Sequence, residues 1–323
     1  MQRIRILIAG ASGTIGRVVA EALIGDGHEV VCLLRRSPSG EEAAGFHAQG
    51  GARIVFADLS DPLALRDSVH DIAPSCVVSC LASRSGSPKD AQAVDYAANS
   101  NLLRAAEHAG TEHFLLLSAI CVQRPQLAFQ HAKLAFEKEL IESPVEHTIV
   151  RPTAFFKSLS GQVARVARGK PFLLFGGGEL TRCKPISDRD LARFIAGCMS
   201  DPEARNQVLP IGGPGPAISP RGQGELLFGL TGREPNYRSV PPALFGAAAR
   251  VLSLGAPVSD WFAEKAEYAR IAKYYATQSM LVLDPETGEY SEEATPEFGS
   301  DTLHGHYEKL LHADGLQSGT LGD

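Results

Sequence analysis

Three groups of residues in this chain have types and spacings that suit chemistry. The first is Gly10-Ala11-Ser12-Gly13-Thr14-Ile15-Gly16, a G-x-x-G-x-x-G turn lying between the apolar run Ile4 to Ile8 and an amphipathic helical pattern that starts at Arg17. Glycine lets the main chain turn tightly and approach a pyrophosphate, and a helix N-terminus presents N–H groups to that charge. The spacing departs from the generic G-x-G-x-x-G, so the dinucleotide reading rests on the strand, turn, helix context. The second group is Arg35-Arg36, which closes the next apolar run. Dinucleotide folds read the adenosine ribose there: an acid suits the 2′-hydroxyl and an arginine a 2′-phosphate. Two arginines and no acid favour NADPH, the alternative being a solvated basic loop. Asp58, beside Leu59 at the end of the third apolar run, either meets the adenine edge or caps its loop. The third group is Ser118 with Phe129-Gln130-His131-Ala132-Lys133.

These residues need a frame that brings strand ends together. Apolar runs at Ile4–Ile8, His28–Leu34, Arg53–Leu59, Cys76–Ala82, His113–Ala119 and His147–Val150 alternate with helical patterns at Arg17–Leu23, Glu41–Gln49, Pro62–Asp71, Asp90–Ala109 and Phe129–Ile141. That alternation predicts an α/β fold of the Rossmann type, a doubly wound parallel sheet with helices on both faces. Continuous runs such as FLLLS and CVVSC are what strands buried on both faces require. Beyond Arg151-Pro152 the rhythm changes. Helices are expected over 155–168, 188–200 (capped by Ser187 or Asp188), 243–254 and 260–277, and strands over 171–175, 208–211 and 281–288. Residues 1–154 are read as the cofactor-binding domain, with a strand near 207–213 returning to its sheet. Residues 155–323 are read as a smaller, less regular substrate-binding part, with a frayed tail after Gly315.

Composition narrows the function classes. The 323 residues are 44% hydrophobic and 21% charged, with a net charge of −6, which offers no electrostatic case for nucleic acid. No run approaches the roughly 18 apolar residues that span a bilayer. The first strand begins beside Met1, so the expectation is a soluble cytoplasmic chain without a targeting sequence. The 6 cysteines are scattered without zinc-site spacing and read as reduced core or pocket thiols. No protein metal site is expected.

In short-chain dehydrogenases a serine at the end of the fifth strand works with a Tyr-x-x-x-Lys on the next helix. Ser118 and Lys133 match that pattern, but Phe129 stands where the tyrosine would donate its proton, so carbonyl–alcohol chemistry is not expected. The departure points to atypical members of that superfamily, of the isoflavone-reductase-like kind. Further strings narrow it: Val77-Val78-Ser79-Cys80-Leu81-Ala82-Ser83-Arg84, Leu117 to Gln123, Arg151-Pro152-Thr153-Ala154-Phe155-Phe156-Lys157-Ser158-Leu159, Cys183 to Ser187, Leu209 to Pro216 and Tyr274 to Met280. With these the chain resembles the NADPH-dependent divinyl chlorophyllide a 8-vinyl reductases of chlorophyll and bacteriochlorophyll synthesis, from its first strand to about Leu303.

The resemblance implies reduction of the 8-vinyl group of a magnesium chlorin to ethyl. Hydride on one vinyl carbon and a proton on the other suffice, and no phenol is needed to polarise a carbonyl. Lys133 is read as cofactor anchor, with the proton coming from Lys133, His131, Cys121 or water. Leu81, Ala82, Ser83, Pro152 and Thr153 are expected along the cofactor. A flat chlorin needs an apolar pocket with few polar anchors. Phe155, Phe156, Phe172 and Phe175 are candidates, of which half or more are expected to be core packing, with Cys121 beside them. Lys157, Arg182 and Lys184 are candidates for a propionate, and the magnesium belongs to the substrate. The helix over 243–254 is too short to cross a membrane but long enough to rest on one. The alternatives are a reductase of another conjugated C=C and a non-catalytic NADP(H)-binding sensor or assembly factor, since this fold hosts those as well.

Overall fold

A computed structural model describes residues 3–256 and 258–313; the tail after Gly315 lies outside the described residues. The chain divides into two compact units, Met1–Arg151 with Leu191–Leu209, and Pro152–Asp190 with Pro210–Asp323.

The first unit is built on β1 (Arg5–Ala9), α1 (Thr14–Gly25), β2 (Glu29–Leu34), α2 (Pro38–Gln49), β3 (Arg53–Phe56), α3 (Pro62–Ile72) and β4 (Cys76–Ser79). A helical run follows: α4 (Pro88–Asp90), a π-helical segment over Ala91–Ala98, then α5 (Asn99–His108). After it come β5 (His113–Leu117), α6 (Ala128–Glu142) and β6 (Glu146–Pro152). The strands lie in the order β3-β2-β1-β4-β5-β6-β8, where β8 (Gln207–Ile211) is the late strand expected near 207–213. The pairs from β3 to β6 are all parallel. This is the expected doubly wound sheet. Its order reverses between β1 and β4, and such sheets bind ligands beyond the carboxyl ends of the strands at that point. Leu7, Val31, Val77, Leu102, Phe114 and Phe136 anchor a core on one face.

In the second unit the helix expected over 155–168 is broken into α7 (Phe156–Leu159), a 3-10 turn at Ser160–Gln162 and α8 (Val163–Ala167). Next come β7 (Phe172–Phe175) and α9 (Asp188–Cys198), most of which belongs to the first unit and which Ser187 caps through the Asp190 N–H at 2.9 Å. Then follow α10 (Pro220–Thr231), β9 (Tyr237–Val240), α11 (Ala243–Ser253) and α12 (Asp260–Thr277). The strand expected over 281–288 is a short hairpin, β10 (Val282–Leu283) with β11 (Tyr290–Ser291), and α13 (Leu303–Ala313) ends the described chain. The strand β7 pairs with β9 in parallel, and Phe156, Phe172, Leu227, Phe228 and Tyr307 form the core. Among the described residues no helix is long and apolar enough to cross a membrane.

Candidate active site

The glycine turn sits at the reversal of strand order. Gly10, directly after β1, has φ +84°, and a Cβ there would lie 2.6 Å from the carbonyl carbon and oxygen of Cys80. A Cβ at Gly16 would lie 2.3 Å from the Gly10 oxygen. Both glycines are therefore demanded by the fold itself. Gly13 is different: it is the exposed N-cap of α1, has φ −81°, and a Cβ there meets nothing nearer than the Gly10 oxygen at 3.3 Å. No side chain caps this helix and no acid stands in its first turn. A helix start so left, with Ser12, Gly13 and Thr14 exposed and Ile15 half-buried beside them, fits an anionic ligand.

Arg35 and Arg36 are exposed at the end of β2. Helix α2 closes against them: a Cβ at Gly40 would lie 2.0 Å from the Arg35 oxygen, and the Ser37 hydroxyl caps the Gly40 N–H at 3.2 Å. The buried His47 ring donates to the Ala11 carbonyl at 2.9 Å, tying α2 to the glycine turn. The Arg36 guanidinium stacks over the Phe56 ring at 4.8 Å. Asp58 caps its own loop, accepting from the Ser60 N–H at 2.8 Å and the Ser60 hydroxyl at 2.7 Å. Those bonds, aided by the charge of Arg35, hold its carboxyl below the usual carboxylate range. Leu59 is half-buried behind it.

Past β4 the chain runs through Leu81, Ala82 and Ser83, and here it meets Lys133. Lys133 is 8% exposed and not a surface helix lysine. Its Nζ lies 2.9 Å from Oδ1 of Asp95 in the π-helical segment, and the Ser83 N–H donates to the same oxygen at 3.3 Å. One turn along α6, buried Glu137 accepts from the Ser118 hydroxyl and pairs with Arg151. Ser118, expected as a catalytic partner, thus has its hydroxyl committed to a buried carboxylate. His131 is exposed and two residues from Lys133, hence across the helix from it. Phe129 is half-buried. Gln130 is fully buried, accepts from the Gln126 and Leu127 N–H groups at 2.8 and 3.0 Å, and donates to the Cys121 carbonyl at 2.8 Å, which fixes the turn carrying buried Cys121.

The cofactor and substrate candidates of the second unit divide. Pro152 and Thr153 are buried; the Thr153 N–H donates to the Ile211 carbonyl at 2.9 Å and its hydroxyl to the Lys184 carbonyl. Phe156 and Phe172 belong to the core, whereas Phe155 is half-buried and Phe175 packs edge-to-face on Phe245. Lys157 is exposed near Asp188, whose carboxyl is pushed up by burial against the opposing pull of Lys157. Arg182 is exposed, 4.0 Å from Glu179. Lys184 is buried and ion-paired with Glu297. No group of three or more His, Cys, Asp or Glu that suits a metal is found among the described residues.

Asp95, Asn99, Gln130 and Glu137 are buried polar residues of this region that sequence reasoning did not single out. The available signal was an Asp and an Asn four residues apart in the helical run after β4, and a Lys and a Glu in the same relation on α6.

The fold and the glycine turn define an NAD(P)H-binding protein, and a family model described as NAD(P)H-binding matches residues 10–202. The chain is 46% identical to the chloroplastic divinyl chlorophyllide a 8-vinyl-reductase of Oryza sativa subsp. indica, covering 98% of this chain and 81% of that protein. It is 47% identical to the enzyme of the same name from Cucumis sativus, covering 98% and 78%. Among solved structures it resembles leucoanthocyanidin reductase of Vitis vinifera in binary complex with NADPH, with a TM-score of 0.71 at 18% identity over 95% of this chain and 99% of that one. The chain belongs to the divinyl chlorophyllide a 8-vinyl-reductase family.

Proposed function

We propose that this chain reduces the 8-vinyl group of 3,8-divinyl chlorophyllide a to ethyl with NADPH. The observation that carries the reading is identity of 46–47% to reductases of that name over nearly the whole chain. It is joined by a buried lysine, Lys133, with Phe129 and not a tyrosine four residues before it. Family membership over this length also favours the enzyme over a cofactor-binding sensor.

NADPH, when bound, supplies the hydride. The chain's own part is binding and orientation. The α1 N-terminus with Ser12, Gly13 and Thr14 would receive the pyrophosphate, Arg35 and Arg36 the 2′-phosphate, and Lys133 the nicotinamide ribose. Arg36, held over Phe56, is pre-ordered for a phosphate. Residues 1–154 are the cofactor-binding part in this reading and 155–323 the substrate-binding part, with Phe155 offering apolar surface and Lys157 and Arg182 their charges to the chlorin. The proton comes from Cys121, Lys133 or water; His131 is set apart on the outer face of α6.

A membrane surface is the second partner in this reading. Leu244, Val251, Leu254, Trp261 and Tyr268 on and between α11 and α12 are exposed, and Lys265 lies 6.0 Å from the Trp261 ring centre. Aromatic and basic side chains of this kind suit a bilayer interface.

The test mixes purified protein, NADPH and divinyl chlorophyllide and follows the Soret band. A blue shift with pigment-dependent loss of NADPH is expected. Tight NADPH binding with the pigment spectrum unchanged would overturn the assignment.

A further inference from the structure

The buried Lys133–Asp95 pair is a poor device for stability. Desolvating two charges offsets most of their attraction, and apolar replacements of buried pairs are often neutral or better. The side chains are 9% and 0% exposed, and Asp95 Oδ2 is buried with no hydrogen-bond partner. The local backbone is also unusual. The helical run passes through π geometry at Ala91–Ala98, and such segments are frequent at functional sites. Asn99 supports the widened turn, donating through Nδ2 to the carbonyls of Val94 and Asp95 at 3.2 Å each. Asn99 Oδ1 in turn accepts the hydroxyl of Ser79, the last residue of β4, at 2.5 Å. A chain of polar contacts thus runs from the end of β4 through Asn99 to Asp95, and from Asp95 to both Lys133 and the Ser83 main chain.

We propose that Asp95 is a positioning residue for the cofactor anchor. It holds the Lys133 ammonium in one arrangement before NADPH arrives. The proposal rests on the reading of Lys133 as anchor, and not on the identity of the pigment. Holding a flexible ammonium in place lowers the ordering cost of binding, which is where the affinity comes from.

The test is NADPH titration by fluorescence, with no pigment present, on Asp95→Asn, Lys133→Met and the double variant. Asp95→Asn is expected to raise the NADPH Kd about tenfold, within the coupling seen for contacting residues. In the Lys133→Met background the same substitution is expected to change Kd by less than twofold, because Asp95 acts through Lys133. If Asp95→Asn alone fails to fold, Asp95→Glu takes its place: it keeps the charge but displaces it by one methylene, and is expected to weaken NADPH several-fold in the wild-type background and not in Lys133→Met. A folded Asp95→Asn protein with wild-type Kd and only a lowered melting temperature would overturn the proposal. So would a further loss of affinity in the double variant. Wild-type protein that binds NADPH but leaves the pigment unreduced would sink the reductase reading and leave this test intact.

Discussion

Two glycines of one turn are expected to respond oppositely to the same added methyl group. At Gly10 alanine must take a φ of +84°, which costs about 1–2 kcal/mol, and its Cβ would stand 2.6 Å from the Cys80 main chain. Relieving such an overlap by shifting backbone costs about 1–3 kcal/mol more. The sum of about 2–5 kcal/mol is a large part of the roughly 5–15 kcal/mol that stabilises a typical protein. At Gly13 the φ is −81° and the nearest atom is 3.3 Å away, so the fold tolerates the methyl with a loss of about 1 kcal/mol or less at the N-cap. There the methyl would stand where a phosphate must approach the helix start. Losing one charge-assisted hydrogen bond of about 1.5–3 kcal/mol weakens NADPH by about 10–100-fold. Urea unfolding and NADPH titration on Gly10→Ala and Gly13→Ala check both. Gly13→Ala that binds NADPH like wild type would remove the pyrophosphate from this helix. Gly10→Ala of unchanged stability would refute the steric argument.

Other outcomes follow from the same geometry. Arg35→Ala with Arg36→Ala is expected to weaken NADPH by about 10–100-fold for each charged hydrogen bond lost, at about 1.5–3 kcal/mol apiece, while NADH changes little; equal losses in parallel titrations would remove the 2′-phosphate assignment. Burial holds the His113 imidazole down to about 3 from 6.5, between Thr148 at 2.9 Å and Cys76 at 3.6 Å. The unfolded chain takes up this proton near 6.5 and the folded chain does not, so stability should fall as pH drops from about 6.5 towards 3, by about 2 kcal/mol at pH 5. Burial lowers His147 and His306 too and adds to the same slope, so His113→Gln should make it shallower without abolishing it; an unchanged slope in urea melts at pH 7 and pH 5 counts against the assignment. Trp261→Ser with Tyr268→Ser should reduce flotation with anionic liposomes while leaving NADPH binding intact, and flotation equal to wild type would exclude this face.

The sheet was legible because its strands are buried on both faces and so read as unbroken apolar runs. The returning strand β8, an edge strand of mostly half-buried residues, was legible from its short apolar run alone. The π-helical segment was not, since an extra residue per turn changes which side chains face inward without changing composition. Helices α10 and α13 were missed as well: PRGQGELLFGLT carries three internal glycines and LHGHYEKLLHA two histidines in its first turn, so neither advertises a helix, and both are held by packing on the second core. At the site, Lys133 was legible through the resemblance to the Tyr-x-x-x-Lys pattern of short-chain dehydrogenases. Its partner was not, because Asp95 comes from a distant helix and only the parallel strands bring the two together. Glu137 is one of several glutamates and lysines along α6, and nothing in the sequence marks it as the one that is buried with Ser118 and Arg151 bound to it.

The inward face of α6 contains the strongest argument about chemistry. Along it run half-buried Phe129 and buried Gln130, Lys133 and Glu137, and none of the first three offers the acidic hydroxyl that carbonyl reduction uses. Ser118, which would assist such a hydroxyl, is instead bound to Glu137. Two parts of a carbonyl-reducing arrangement are therefore absent together, while Lys133 is kept and given a buried counter-ion. A double bond conjugated to a macrocycle suits that combination. Charge that develops as hydride adds spreads into the ring and needs no acid poised at a single oxygen. Restoring the hydroxyl with Phe129→Tyr should then leave vinyl reduction within a few-fold of wild type, and a large gain in rate would show that proton delivery at this position had been limiting.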